Sequence, residues 1–213
     1  MTAARGRHAP PREVRLPIQR ERLLQAAALE FAGNGYAGTS SESISRRAGM
    51  SKATFYEHFA NKEECMLALF DLAADVVVKA MVTAAQGARG DARERIRAGV
   101  RAFLSALSEH PEYAQTLLVE IIGAGPLAAQ HRDKILQTFA AVLDAENAEA
   151  ARRGLSGRFA SPHDSFAIVG AIAELVSRQL RVGVPSTVAE LAPVIERLIL
   201  GLLPDVAGSD GRP

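Results

Sequence analysis

Apolar residues recur at intervals of three and four along most of this chain of 213 residues. That spacing collects them on one face of an α-helix, whereas a half-buried β-strand would alternate apolar and polar residues. Aromatic residues make up only 5% of the chain and tryptophan is absent, which is typical of packed helices rather than of a β-sandwich. The sequence therefore predicts an all-α fold of about nine helices.

Capping and helix-breaking residues divide the apolar pattern into separate helices. The first predicted helix begins at Pro17 and stops at Gly33 and Gly35. Thr39 and Glu42 have the spacing of a capping box for a short second helix. Later helices are predicted to begin at Lys52, Asn61, Asp91, Pro111, Leu127, Ser161 and Thr187.

Two short helices, residues 41–48 and 52–59, are separated only by the turn at residues 49–51. Ser51 can cap the second of them, in which Phe55 and Phe59 lie four residues apart on one face. We assign both rings to the core, so that the polar side chains face outward. This arrangement predicts a helix-turn-helix whose second helix reads the DNA major groove.

The positive charge of the chain is concentrated at its N-terminal end. Residues 1–62 carry 10 Lys and Arg against 5 Asp and Glu, while residues 63–213 carry 15 against 19. Such a split suits a domain that meets phosphate joined to one that does not. Residues 1–16 are predicted to be a flexible basic arm. It is either a solvated tail or an extension that adds phosphate or minor-groove contacts.

Several other classes of protein find little support in the residues. Cys65 is the only cysteine, so neither a disulfide within the chain nor a paired-cysteine zinc site is expected. No phosphate-binding glycine loop or catalytic motif is present, and the five histidines are scattered, so we expect no enzyme, cofactor or metal. With no apolar run of 18 residues and no signal core, the protein is expected to be cytoplasmic and not to bind a membrane.

The stretches 35–40, 47–59 and 61–64, including the sequence around Tyr56 and the His58-Phe59 pair, closely resemble the TetR-family DNA-binding domain. The resemblance covers residues 18–66. It implies a domain organisation of an arm at 1–16, a helix-turn-helix domain at 17–62, a ligand-binding and dimerisation domain at 63–205, and a tail at 206–213. It also implies a homodimeric repressor that a small-molecule effector releases from a palindromic double-stranded operator. The alternative is a helical protein-interaction or scaffold module without specific DNA binding.

By position, the resemblance implies that DNA contacts come from the starts of three helices: Thr39, Ser40, Ser51, Lys52, Ala53, Thr54, Tyr56, His58 and Lys62. Thr39 and Ser40 would touch a phosphate, and Lys62 would pin the DNA backbone. Helix N-termini and lysine both favour anions, which agrees with these roles. Ala53 stands where the family most often has glycine, and its methyl group could meet a thymine methyl group.

The resemblance places an effector pocket in residues 91–183, where the following residues lie on or beside apolar faces: Phe103, Leu107, Tyr113, Leu117, Glu120, Gln137, Phe139 and Arg178. Glu120 interrupts an apolar run, so its carboxylate is expected to need a partner. That partner could be Arg178, another helix or the ligand.

The last two predicted helices are apolar over more of their circumference than the others. Such a pair is either buried deeply in its own chain or packs against the same surface of a second chain. The resemblance favours the second possibility, a four-helix dimer interface. The residues assigned to it are Phe166, Val169, Ile172, Val176, Leu191, Ile195, Leu198 and Leu202.

Overall fold

The computed structural model describes residues 11–203, which contain nine α-helices and no strand. The predicted all-α fold is confirmed. Two 3-10 turns, Glu120–Gly123 and Val188–Leu191, precede α7 and α9. The helices are α1 Arg12–Gly38, α2 Ser41–Arg47, α3 Lys52–His58, α4 Lys62–Gly87, α5 Ala92–Glu109, α6 Pro111–Leu118, α7 Pro126–Arg152, α8 Asp164–Val182 and α9 Ala192–Gly201.

Side-chain caps start several helices where the sequence predicted them. The Ser51 hydroxyl accepts a hydrogen bond from the backbone N–H of Thr54 at 3.0 Å. Asn61 and Asp91 accept equivalent bonds at the starts of α4 and α5, at 2.8 and 2.9 Å. These oxygens satisfy first-turn N–H groups that have no acceptor within the helix. The local sequence therefore determines where these helices begin.

The first helix begins five residues earlier than predicted, at Arg12, and Pro17 lies inside it. Proline's fixed φ is compatible with a helix, and its cost here is one missing hydrogen bond near an exposed end. Residues 12–16 are thus helical rather than part of a flexible arm. Residues 1–10 of the predicted arm and the predicted tail at 206–213 lie outside the described residues. At its other end α1 kinks at Gly35, whose φ is +70°.

The predicted capping box of Thr39 and Glu42 is wrong. Ser40 caps α2 instead, because its hydroxyl accepts from the N–H of Ser43 at 3.0 Å while the Ser43 hydroxyl accepts from the N–H of Ser40 at 3.1 Å. Thr39 is only 3% exposed. Its hydroxyl is engaged by carbonyl oxygens of α1, so it is not available to α2.

The buried aromatic rings of the first three helices form one end of a continuous core. Phe55 and Phe59 are fully buried, as predicted, and pack near Phe31 and Ile44. Cys65 also lies in this core, where burial raises the pKa of its thiol to about 12. The thiol therefore stays protonated and is a packing group rather than a reactive one.

Helix α4 joins the helix-turn-helix to the helices that follow. Its 26 residues span roughly 39 Å, and it contacts α1, α5, α6 and α7. Helix α1 also packs against α6 and the 3-10 turn after it, so two separate contacts connect the N-terminal helices to the rest. Among residues 11–203, no helix is long and apolar enough to cross a membrane.

Candidate DNA interface and effector cavity

The outer face of α3 is mainly polar because the large apolar side chain of the helix, Phe55, is buried in the core. Ser51, Lys52 and Ala53 are exposed, and Tyr56 keeps 49% of its surface accessible while its ring meets Phe55 edge-on at 5.5 Å. Of the N–H groups in the first helical turn, that of Thr54 is capped by Ser51, while those of Lys52 and Ala53 have no acceptor within the helix. An anion approaching this turn meets a lysine, hydroxyl groups and oriented N–H groups.

Ser51 and Thr54 are tied to each other before any DNA arrives. Their hydroxyl oxygens lie 2.9 Å apart, and Ser51 also accepts from the Thr54 N–H. These hydrogen bonds restrict the rotamers of both side chains before DNA binds. Ser40, the cap of α2, is likewise exposed and fixed by its bonds with Ser43.

Thr39 does not fit the phosphate contact that we predicted for it. Its buried hydroxyl donates to the carbonyl oxygens of Gly35 at 2.8 Å and Glu30 at 3.1 Å. A side chain in this position holds the α1–α2 corner and cannot reach a phosphate.

Lys62 is also engaged within the protein. Its ammonium group donates to the carbonyl oxygens of Tyr36 at 2.7 Å and Thr39 at 2.9 Å, and lies 4.2 Å from the centre of the Tyr36 ring. Burial lowers the pKa of this ammonium. Through these two hydrogen bonds Lys62 holds α4 against the end of α1. Only the third N–H of its ammonium group is left to donate to a DNA phosphate.

His58 lies at the end of α3, half-buried against α1. Its Nε2 is 3.4 Å from Oε1 of Gln19. Burial, followed by the charge of Arg20, lowers the pKa of the imidazole. Both effects disfavour the charged imidazolium in the free protein, where the ring is suited to a hydrogen bond.

Two arginines that our sequence analysis did not single out hold α2 against α1. Arg22 donates to the carbonyl oxygen of Ala48 at 2.8 Å. Arg47 lies 2.5 Å from the buried carboxylate of Glu30, and this hydrogen bond holds the pKa of Glu30 below its usual value. Both bonds fix the position of the helix that precedes the turn.

Helices α4 to α9 enclose a cavity of about 150 Å³ with an almost entirely apolar lining. Four of the residues predicted to line a pocket do so: Phe103, Leu107, Leu117 and Phe139. The others do not. Gln137 and Arg178 are exposed on the outer faces of their helices, and the ring of Tyr113 stacks on His110 at 5.2 Å.

Glu120 is the fourth predicted residue that does not line the cavity. Its side chain points away from the cavity and towards the helix-turn-helix. Its carboxylate accepts from the backbone N–H of Tyr36 at 2.7 Å and from the side chain of Gln115 at 3.1 Å. Of the partners that the sequence left open, another helix is therefore the one found. Leu117 and Leu118, just before Glu120 in the chain, line the cavity. The cavity wall and the hinge at Gly35 are thus joined through one carboxylate.

The polar groups of the cavity lie at its two ends along α7. Arg132 lines one end, while the Arg95–Glu146 ion pair of 2.5 Å, Asn147 and Ser156 line the other. Arg132 and Glu146 are fourteen residues apart on α7, or roughly 21 Å along the helix, so the cavity is elongated. Arg132 was missed in the sequence, although it lies three, four and seven residues before Ile135, Leu136 and Phe139, on the same stripe.

Most of the predicted dimer-interface residues are used within the chain. Val176 and Ile195 are fully buried and Leu191 is nearly so, while Val169, Ile172 and Ile195 line the cavity. Those on α8 or α9 face inward because they lie on the apolar side of the helix that packs on the other helices, while Leu191 lies in the 3-10 turn before α9. For Val176, Leu191 and Ile195, which are buried within the chain, the assignment to a dimer interface is wrong. For the half-buried Val169 and Ile172 it stays a prediction.

What remains exposed of the last two helices is a different face. Phe166 and Leu202 keep 38% and 39% of their surface accessible, and Leu198 packs partly against its own core. The outer face of α8 also carries Ala167, Glu174, Arg178 and Val182, of which Val182 is 56% exposed. These residues follow one another at helical spacing and form a mixed apolar and charged stripe. We call this stripe the outer face of α8.

Comparison with known proteins points to one family. The family model for bacterial regulatory proteins of the tetR family matches residues 23–69, which run from α1 through α2 and α3 into α4. The HTH-type transcriptional activator FasR from Mycolicibacterium smegmatis is 37% identical over 108 residues, or 50% of this chain. The match spans 48% of FasR, about half the length of that relative.

Solved structures share the whole fold. The regulator FadR from Bacillus subtilis in complex with stearoyl-CoA superposes with a TM-score of 0.74 at 19% identity, covering 89% of this chain and 98% of FadR. AibR, in complex with isovaleryl coenzyme A and operator DNA, gives a TM-score of 0.63 at 20% identity, covering 84% of this chain and 97% of AibR. Residues 23–69 therefore match the DNA-binding region of bacterial regulatory proteins of the tetR family, and the helices behind them share the fold of these solved regulators.

Proposed function

We propose that the protein is a sequence-specific DNA-binding transcriptional regulator whose affinity for its operator is controlled by a small-molecule effector. The observation that carries this proposal is the outward first turn of α3, where Ser51, Lys52 and Tyr56 stand over a core of buried rings. Its rigid capping means that the reading side chains are positioned before binding, which lowers the entropy cost of association. Because the target is chromosomal DNA, the protein works in the cytoplasm.

The DNA contacts are assigned from the positions that the structure leaves accessible. Lys52 and the N–H groups of the first turn of α3 bind phosphate or base edges, with Ser40 placed at the start of α2. Ala53 is exposed and can meet a thymine methyl group, while Tyr56 extends the same surface. Thr39 and Lys62 support this surface from behind through their bonds to α1 and the α1–α2 corner.

A homodimer would present two such surfaces to successive major grooves, about 34 Å apart. The outer face of α8, with Phe166 and Val182, is the surface we assign to the dimer, because exposed apolar residues of adjacent helices gain most from burial against a second copy. If two copies pair through this face in an isologous way, the dimer has two-fold symmetry, and the operator it recognises is expected to be palindromic.

The effector is proposed to occupy the cavity enclosed by α4 to α9. Its elongated apolar lining suits a hydrocarbon chain, because such a cavity offers dispersion contacts along its length but few hydrogen bonds. FadR and AibR are each described in complex with an acyl-CoA, which supports the acyl class for this chain.

Control of DNA binding follows from two states that differ in the spacing of the α3 helices. An effector that fits the cavity better in the state unable to span two grooves shifts the population towards it and releases the operator. Repression relieved by the effector is the proposed direction of regulation. In vitro transcription from the selected operator, with and without the effector, tests that direction.

The main experiment is selection of the purified protein's preferred sequences from random duplexes at two salt concentrations. Enrichment of a palindrome, with an affinity that falls steeply as salt rises, supports a dimeric DNA-binding regulator. On the selected operator, Lys52→Gln should reduce affinity and lower the salt slope of the dimer by about two, since one phosphate contact is removed from each half-site. Lys134→Gln, an exposed lysine on α7, is the matched control and should change neither.

The rival function is a protein-interaction module, in which the helix-turn-helix surface meets another protein. A folded dimer that enriches no sequence and whose weak DNA binding is unaffected by Lys52→Gln would support that rival and contradict the proposed regulator.

A further inference from the structure

The two ends of the cavity differ in charge. We call the end lined by Arg132 the near end and the end lined by Glu146 the far end. At the far end the charge of Arg95 is neutralised by Glu146 at 2.5 Å. The neighbouring Asn147 is also satisfied, because its amide donates to the carbonyl oxygen of Gly157 at 2.9 Å and accepts from the N–H of Phe159 at 3.0 Å. The Ser156 hydroxyl is buried and has no hydrogen-bond partner within residues 11–203. This end is therefore electrically neutral.

Arg132 gives the near end a different character. It lines the cavity and is half-buried, yet no carboxylate or carbonyl oxygen in the described part of the chain pairs with its guanidinium. The acids close to it in sequence or across the helix pair are already engaged. Asp71 lies 2.6 Å from Nε2 of His131, and the Asp133 carboxylate accepts from the side chain of Gln137 at 2.8 Å.

A half-buried cation without a partner carries a desolvation cost that an anion can offset. Since the cavity between the two ends is apolar, the molecule that satisfies all three regions has a hydrocarbon body and one anionic head. We propose that the effector is an anionic amphiphile whose carboxylate or phosphate head binds Arg132, with its hydrocarbon chain running along α7 towards Ser156. This inference rests on the proposed effector function of the cavity.

The position of Arg132 also places the bound head group close to the helix that leads to the helix-turn-helix. Phe70 of α4 lines the same end of the cavity and packs on His131 with ring centres 5.8 Å apart. A head bound to Arg132 therefore lies beside the half of α4 that is nearest to the helix-turn-helix. Ligands with and without the head should differ in how well they release the operator, and not only in affinity.

The test compares three ligands with the same hydrocarbon chain length on the delipidated 213-residue protein: palmitate, palmitoyl-CoA and 1-hexadecanol. Binding is measured by displacement of the neutral dye Nile red, for the wild type, Arg132→Gln, Arg132→Lys and the control Lys134→Gln. Loss of a charge-assisted hydrogen bond predicts that Arg132→Gln weakens the anionic ligand roughly 10- to 100-fold, with the alcohol changed less than about twofold. Arg132→Lys should recover part of the loss.

The two anionic ligands distinguish the source of the head. A selective loss with palmitate identifies a carboxylate site, and a loss with palmitoyl-CoA alone identifies the phosphates of the coenzyme. Equal weakening of the alcohol and the anions, or no effect of Arg132→Gln, would overturn the proposal, as would failure of all three ligands to bind the wild type. Operator selection is measured without ligand, so a failure of the regulator function itself would appear there separately.

Discussion

The bond between Glu120 and the Tyr36 N–H is the contact whose removal tests the coupling of the two parts of the chain most directly. The 2.7 Å distance and the negative charge of the acceptor make it a charge-assisted hydrogen bond. Such bonds contribute about 1.5–3 kcal/mol. Because Glu120 is only half-buried, water can replace part of the bond, and we expect Glu120→Ala to cost about 1–1.5 kcal/mol of the free energy of unfolding. For a chain of this length that lowers Tm by about 2–6 °C.

The larger consequence concerns regulation. Glu120 lies two residues after the cavity-lining Leu118 and holds the backbone next to the Gly35 kink. Without it, movement of the cavity wall is transmitted less completely to the helix-turn-helix. We expect Glu120→Ala to leave operator affinity without effector within about threefold, and to reduce the effector-induced change in that affinity by roughly five- to tenfold, a coupling loss of about 1–1.4 kcal/mol. Glu120→Gln, which keeps an acceptor oxygen but no charge, should lie between.

Fluorescence anisotropy on the selected operator, with and without saturating ligand, measures this coupling, and thermal unfolding at equal protein concentrations measures the stability. Glu109→Gln is the control, since Glu109 is an exposed carboxylate at the end of α5. Normal coupling in Glu120→Ala, together with an unchanged Tm, would refute the role assigned to this bond. Equal losses of operator binding and effector response would show that Glu120 merely supports the fold.

Two further predictions concern the dimer and acid stability. Val182→Glu on the outer face of α8 should convert the dimer to a folded monomer in sedimentation velocity and weaken operator binding at least tenfold. The control Leu29→Glu, at a comparably exposed apolar position on α1, should remain dimeric. A Val182→Glu protein that is still a dimer would exclude this face as the interface. The hydrogen bond from Arg47 depresses the pKa of Glu30 below its ordinary 4.5 in the folded protein, so the stability that it contributes is present above that value and is lost as the pH falls through the folded pKa. Urea unfolding should therefore show a loss of stability below about pH 4.5 that is smaller in Arg47→Gln, and an equal acid dependence in both proteins would contradict it.

Local chemistry explains why much of the fold could be predicted. Ser51, Asn61 and Asp91 act on N–H groups three residues away, and Phe55 and Phe59 share a face through helical geometry alone. These interactions are complete within a few residues, so the sequence contains all that is needed to recognise them. The same applies to the charge asymmetry and to the turn between α2 and α3.

The errors arose where several helices compete for the same side chain. Periodicity shows that α8 and α9 have apolar faces, but not whether a face meets its own chain or a second copy. In the structure Val176 and Ile195 face inward, and Val182 faces outward. Thr39 has the sequence of a cap, yet its hydroxyl is taken by the carbonyl oxygens of α1, because the kink at Gly35 brings them within reach.

The sequence by itself determined the all-α class, the helix starts set by nearby caps, the helix-turn-helix and the polar surface of its second helix. All of these depend on interactions between residues close in the chain. Only the tertiary structure decided that Glu120 binds Tyr36, 84 residues away, that Arg132 lines a cavity, and that Lys62 is held by the end of α1. Those contacts depend on how α1, α4, α6 and α7 pack together, and helix packing allows several arrangements for one pattern of apolar residues.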